Sequence, residues 1–165
     1  MRQPQPAEPG PGQESVWDYP RPPRLEHASS TIEIALGGLT ILRTNVAFRV
    51  LETSHPPTYY LPMSAFVPGS LRPVAGHSYC EWKGTADYLD VVSDSAVAER
   101  AAWHYPSPTP DFAELVDHVA IYPGAMKRCL VDGEVVVAQP GGFYGGWVTS
   151  KVVGPFKGEP GTQFW

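Results

Sequence analysis

Prolines interrupt this chain so closely that few stretches could hold a long helix: nineteen of them, together with sixteen glycines, are spread over 165 residues. An internal proline removes a helix hydrogen bond and clashes with the preceding turn, at a cost of about 3 kcal/mol. Regular structure must therefore come in short pieces between Pro- and Gly-rich corners. The expected fold is mostly β, strongly bent and antiparallel, with little helix.

The alternation supports this piece by piece. Thr31 to Leu36 and Leu39 to Leu42 alternate apolar with polar residues around Gly37-Gly38, whose freedom at positive φ suits a hairpin turn. Val46 to Thr53 reads as a turn entering a strand, and Thr58 to Leu61 as a further strand fenced by Pro56, Pro57 and Pro62. His77 to Lys83 and Ala86 to Val92 read as the arms of a second hairpin hinged at Gly84. Val119 to Tyr122 is a short strand closed by Pro123-Gly124. Lys127 to Val131 and Glu134 to Val137 form a third hairpin across Asp132-Gly133. Ser93 to His104 is ambiguous: Asp94-Ser95 could cap a helix, whereas Pro106 and the short length favour a strand. The stretch from Gly141 onwards has too much glycine for a regular element beyond one short strand around Trp147 to Val152.

Residues 1 to 14 hold four prolines and no aromatic or β-branched residue, so composition predicts a disordered tail. Residues 15 to 165 are then expected as a single domain with a Gly-rich C-terminal extension. The segment VWDYPRPPR, starting at Val16, interleaves Trp17 and Tyr19 with prolines and reads as an extended stretch anchored or presented by its rings.

Composition excludes several function classes. A net charge of -5 without any Lys/Arg run argues against nucleic-acid binding, which depends on neutralising phosphates. No apolar run reaches the ~20 residues of a spanning helix, and the N-terminus has neither a basic start nor an apolar h-region, so a cytoplasmic chain without membrane contact is expected. Two cysteines, Cys80 and Cys129, cannot build a four-cysteine zinc site, and the five histidines lack ligand spacing, so neither a metal nor another cofactor is expected.

Ser78 to Tyr88 is the densest group of chemically capable residues. As a continuous strand it would put Tyr79, Glu81 and Lys83 on one face and Ser78, Cys80 and Trp82 on the other, with Lys83 contacting a ligand or pairing with Glu81. An inward Cys80 is expected to behave as a small apolar residue; as a nucleophile it would need a base, which His77, His104 or His118 could supply only through tertiary folding. Eleven of the Trp and Tyr residues from Trp17 to Trp147, all but Tyr79, are too many to bury in so small a domain, so some should line a cleft. Gly141 to Gly146 is a weak phosphate-loop candidate and reads better as a flexible flap.

Cys80-Glu81-Trp82-Lys83-Gly84 with Ala86 and Tyr88, preceded by Arg49-Val50-Leu51-Glu52-Thr53 and Tyr59-Tyr60-Leu61-Pro62, is followed by Ala102-Trp103-His104-Tyr105-Pro106 and Val119-Ala120-Ile121-Tyr122-Pro123. Over residues 15 to about 137 this pattern resembles domain-of-unknown-function family 427, which also carries a nucleotidyltransferase-like label. The ending around Gly154-Pro155-Phe156-Lys157-Gly158 resembles a subset of its longer bacterial members. The resemblance implies a β-tent, two antiparallel sheets meeting at an angle, and a strand over 96 to 104. Many β-tent proteins bind zinc through paired CxxC motifs that are missing here, so a zinc-free version is expected.

The leading expectation is a domain that binds a small molecule of unknown identity in an aromatic and charged cleft between its sheets. The candidate ligand-binding residues are Arg49, Glu52, Tyr60, Glu81, Lys83, Gly84, Trp103 and Tyr105, with no catalytic residue assigned. Arg49 and Lys83 would fix an anion, Glu52 and Glu81 would orient them, and the rings would cover a flat part of the ligand. The alternatives are an enzyme acting on a nucleotide or phosphate compound, and a protein-interaction module displaying Trp17 and Tyr19, with at most a weak homodimer.

Overall fold

A computed structural model describes residues 4–165. Its strands, in chain order, are β1 (Glu14–Ser15), β2 (Arg24–Ala28), β3 (Ile32–Leu36), β4 (Leu39–Thr44), β5 (Ala47–Leu51), β6 (Thr58–Pro62), β7 (Leu71–Cys80) and β8 (Gly84–Val92). They continue as β9 (Val97–His104), β10 (His118–Ile121), β11 (Arg128–Val131), β12 (Glu134–Val135), β13 (Val137–Ala138), β14 (Trp147–Val148) and β15 (Val152–Val153). Helical structure among the described residues is confined to short 3-10 turns. None of these is long and apolar enough to cross a membrane.

The chain is mostly β, as its prolines and glycines dictate. Seven strands form one sheet in the order β2-β5-β6-β10-β9-β8-β7, and four form another in the order β12-β11-β3-β4. Every pairing inside these two sheets is antiparallel. The β3–β4 hairpin turns at Gly37-Gly38, with Gly37 at φ 60°. The β11–β12 hairpin turns at Asp132-Gly133, with φ 50° and 81°, the two left-handed residues that a tight hairpin requires. Residues 97 to 104 are strand: as β9 they lie between β8 and β10, where sheet pairing outweighs the helix propensity of their alanines.

The principal core lies between the two sheets. Ile32 and Ile34 from β3, Leu61 from β6, Val119 and Ile121 from β10 and Cys129 from β11 meet there, each at most 1% exposed. Period-two alternation then sends the intervening residues of the large sheet to its other face. Phe48, Val50, Tyr60, Ala86, Trp103, Tyr105 and Ala120 make a second cluster there with Phe112 and Leu115.

Several boundaries differ from the sequence reading. The second hairpin is longer, β7 beginning at Leu71, and its turn consists of Glu81, Trp82 and Lys83. Those three residues are therefore outside the strand, and the shared face expected for Tyr79, Glu81 and Lys83 does not exist. The stretch from Gly141 onwards contributes two short strands, β14 and β15, in place of one, and β13 pairs with β14 from just before it.

Residues 1–3 of the expected tail lie outside the described residues. Residues 4–13 form no regular element, but the backbone N–H of Ala7 donates to Gly154 O at 2.9 Å and Gln13 Nε2 donates to Ser150 O at 2.8 Å. Glu14, assigned to the tail by composition, belongs to β1 and pairs in parallel with β15. Composition measures apolar burial and is blind to such backbone pairing. Tyr19 is 6% exposed and donates to Glu14 Oε1, while Trp17 Nε1 donates to Pro155 O, so the ring-bearing N-terminal segment is anchored within the chain.

Candidate functional site

A cleft of about 300 Å³ opens over the outer face of the seven-stranded sheet. Its floor follows from alternation. Val50 and Glu52 lie at the end of β5 and beyond it, Thr58 and Tyr60 on β6, Tyr88 on β8, and Trp103 on β9 with Tyr105 two residues later, all lining the cleft. Val50 faces Thr58 in register and Tyr88 faces Trp103, which brings these side chains from separate strands together.

The charged group comes from the turn. Lys83 is 9% exposed, and its Nζ donates to Cys80 Sγ at 3.3 Å. The ammonium also lies 5.7 Å from the Tyr105 ring centroid and 5.8 Å from that of Phe112. Among the described residues no carboxylate comes within 4.0 Å of it. The turn is pinned from outside: Thr109 Oγ1 donates to Trp82 O at 2.5 Å, and Thr109 N–H to Lys83 O at 3.0 Å. Gly84, at φ +109°, permits this approach, since a Cβ there would come within 3.3 Å of Ser107 O. Gly84 thus makes room for the 107–109 segment and not for a ligand.

The opposite wall uses residues beyond the third hairpin. Gln139, 3% exposed, accepts from Gly146 N–H through Oε1 at 3.0 Å. Its Nε2 therefore donates, to Lys157 O at 2.8 Å and to His55 Nδ1 at 3.0 Å. That assigns the His55 proton to Nε2, which lies 3.6 Å from Glu52 Oε2. Burial lowers the His55 pKa to about 4, against an opposing pull from Glu52, so the ring is neutral at pH 7. Tyr144 packs edge-on to His55 at 4.7 Å, and Lys157 Nζ lies 5.5 Å from the Tyr144 ring centroid. Gly145 lies so close to Trp103 that a side chain there would overlap the indole. The Gly-rich segment thereby packs as a wall of the cleft, with Tyr122 Oη donating to Phe143 O at 3.1 Å.

Of the eight sequence candidates, Glu52, Tyr60, Lys83, Trp103 and Tyr105 line the cleft. Arg49 does not. Three residues from Glu52 on an extended chain, it points to the other face and borders a different hollow, where it binds Glu14 and Glu26. Hydrogen bonding to Arg49 lowers the Glu14 pKa, and the two carboxylates raise that of Arg49 despite its burial. Glu81 is exposed on the turn and outside the cleft, so it neither orients Lys83 nor faces a ligand. Glu52 pairs instead with Arg21 at 3.1 Å.

Sequence reasoning missed His55, Cys80 as a cleft residue, Gln139, Tyr144 and Lys157. Among the described residues, His, Cys, Asp and Glu nowhere gather in threes able to hold a metal. A larger hollow of about 530 Å³ shares Tyr88, Tyr122, Gln139 and Tyr144 with the cleft. Its one cationic residue, Arg100, is already committed, donating to Ala75 O at 2.9 Å and stacking 4.5 Å from the Tyr88 ring centroid.

The chain belongs to the family described as domain of unknown function (DUF427), whose model matches residues 24–132 and carries a nucleotidyltransferase label. No curated protein matches the chain. The floor and Lys83 lie inside the matched span, whereas Gln139, Phe143, Tyr144, Gly145 and Lys157 lie beyond it.

Proposed function

We propose that this protein binds a small anionic molecule with a flat, ring-bearing part in the cleft on the outer face of its large sheet. One observation carries the reading: Lys83 is nine-tenths buried in the lining, with no carboxylate among the described residues within 4.0 Å of its ammonium. Burying an ammonium costs free energy that rings and a sulfur only partly recover, and a bound anion would supply the missing counter-charge. Tyr60, Trp103 and Tyr105 are the packed floor, above which the half-buried Tyr88, Tyr122 and Tyr144 offer ring surface to a flat group, and Lys157, whose Nζ also donates to Trp165 O at 3.3 Å, adds a second cation. Glu52 is already engaged by Arg21 and leaves the positive balance in place.

Thermal melting against benzoate, indole carboxylate, inorganic phosphate and a nucleoside monophosphate tests the proposal, with benzamide as the uncharged isostere. A ring-bearing anion at 100 times its Kd adds about 2.7 kcal/mol, roughly 5–10 °C for a chain of this size. Lys83→Met should abolish the response. Equal responses to benzoate and benzamide, or an undiminished response in Lys83→Met, would overturn the reading. A nucleotide is one member of the proposed class; a response to nucleoside triphosphate that requires Mg2+ would favour the enzyme suggested by the family label.

A further inference from the structure

We infer that Cys80 is a covalent acceptor in this cleft, forming mixed disulfides with low-molecular-weight anionic disulfides under the control of Lys83. The inference rests on the anion-binding reading of the same site and adds a reaction to it.

Cys80 closes β7, is half-buried and faces the cleft. The hydrogen bond to its sulfur is the only one that the Lys83 ammonium makes among the described residues. A lysine at a protein surface ordinarily extends its head into water; here Thr109 fastens the turn so that the head is turned inwards against the sulfur. An adjacent cation stabilises negative charge on sulfur, the form in which cysteine attacks. The same ammonium can meet the anionic group of an incoming molecule, which brings the partner to the nucleophile.

The surroundings select the reaction. Acyl transfer needs a base for the nucleophile, an acid for the leaving group and donors for an oxyanion. None of His77, His104 and His118 lines the cleft, and His55 is committed to Gln139 through Nδ1. Thiol–disulfide exchange needs only an ionised sulfur, access and a leaving thiolate. Cys80 gives its proton to solvent and attacks one sulfur of the disulfide; the new S–S bond forms as the old one breaks, and the other half departs as a thiolate. Cys80 is oxidised and the departing sulfur is reduced, with no further oxidant involved. Cys129 serves as an internal contrast: 1% exposed between the sheets, its thiol is pushed up to about 12 by burial.

The test uses the full folded chain with two disulfides, anionic dithiobis(nitrobenzoate) and neutral dithiodipyridine, followed by release of the coloured thiol and by mass mapping. One thiol per chain, Cys80, should react, and its rate with the anionic probe should saturate. Lys83→Met should slow that reaction about tenfold or more while slowing the neutral probe less, and Lys83→Arg should recover part of the loss. Cys80→Ser should leave no fast-reacting thiol. Unreactive nitrobenzoate should slow the anionic probe by occupying the cleft. Melting curves identify a variant that fails to fold, in which case Lys83→Arg and the nitrobenzoate competition carry the test. If nitrobenzoate stabilises the protein through Lys83 but Cys80 stays unreactive, or reacts no slower in Lys83→Met, the exchange inference fails and the binding reading stands. If both probes react equally fast and nitrobenzoate neither protects nor stabilises, the binding reading fails and takes the inference with it.

Discussion

The two faces of the seven-stranded sheet are made by the same strands under the same alternation, yet they are built for different ends. The inner face packs against the four-stranded sheet through an apolar layer, with Leu61, Val119 and Ile121 fully buried, and carries Arg49, paired with Glu14 and Glu26, outside that layer. The outer face begins as a second apolar layer and is then interrupted by Lys83, Cys80, His55 and Gln139, delivered from turns and from the C-terminal segment. An inner residue answers to one neighbouring layer. An outer residue answers to several chain segments that have no periodic relation to it, and those segments place charge where the sheet alone would place hydrocarbon.

The largest effects should separate the faces by stability. Ile121→Ala removes a fully buried side chain from the inner layer and should cost about 4 kcal/mol in denaturant unfolding, with the reactivity of Cys80 unchanged under native conditions. Lys83→Met, of similar size on the outer face, should hold or raise stability, because it removes a buried ammonium without a carboxylate partner. A loss of several kcal/mol in Lys83→Met would show that the outer face is packed for stability as the inner one is.

Acid should act next, and mainly on the outer face. His55 has a folded pKa of about 4 against 6.5 in an unfolded chain, with burial as the main cause. Between those values the unfolded chain binds a proton at this residue and the folded chain does not. The stabilisation is therefore complete above pH 6.5 and declines as pH falls towards 4. Down to pH 4.5 the loss should be about 2 kcal/mol, and His55→Gln should remove most of that slope. His118, also lowered by burial, should account for part of what remains. Glu14, Asp90 and Glu134 all have lowered values, so their contributions persist to lower pH and fall away below the histidine window. A slope unchanged in His55→Gln would contradict the neutral ring assigned to the cleft wall.

How far each face could be read from the sequence follows from the same difference. Strand Ile32–Leu36 announces itself through alternation and its turn glycines, and Thr58–Pro62 and His118–Ile121 as short apolar runs closed by prolines, all of them local signals. Tyr60, Trp103 and Tyr105 line the cleft from positions on or just beyond a strand whose register repeats every two residues, although for Trp103 and Tyr105 the strand itself is implied by the family resemblance and not by alternation. Arg49 shows the cost of neglecting that rule: an odd separation from Glu52 already places the two on opposite faces. Lys83 reaches the cleft from a turn and not from a strand face: the three turn residues before Gly84 direct it inwards beside Cys80. His55, Gln139 and Lys157 meet through hydrogen bonds between segments up to 102 residues apart, between which no periodicity runs. Gly141 to Gly146 reads from its glycines as a flexible flap, because Trp103 and Pro56, against which Gly145 and Gly146 lie, are remote in sequence.

Two smaller effects sharpen the comparison by removing charges outside the cleft. Arg49→Met takes away the partner of Glu14 and Glu26, both partly open to water, and should cost about 1–2 kcal/mol with the response to ring-bearing anions intact. Glu81→Gln should do least. The residue sits beside Lys83 in sequence, and in a strand-based reading it would be the natural counter-charge, so its removal would free the lysine and strengthen anion binding. In the turn its side chain is exposed and forms no ion pair among the described residues. The expected change is within about 0.5 kcal/mol in stability, with the rate of the anionic disulfide at Cys80 altered less than twofold. A severalfold rise in that rate would mean that Glu81 holds the Lys83 ammonium after all. The uncompensated charge that distinguishes the outer face would then be an ordinary ion pair.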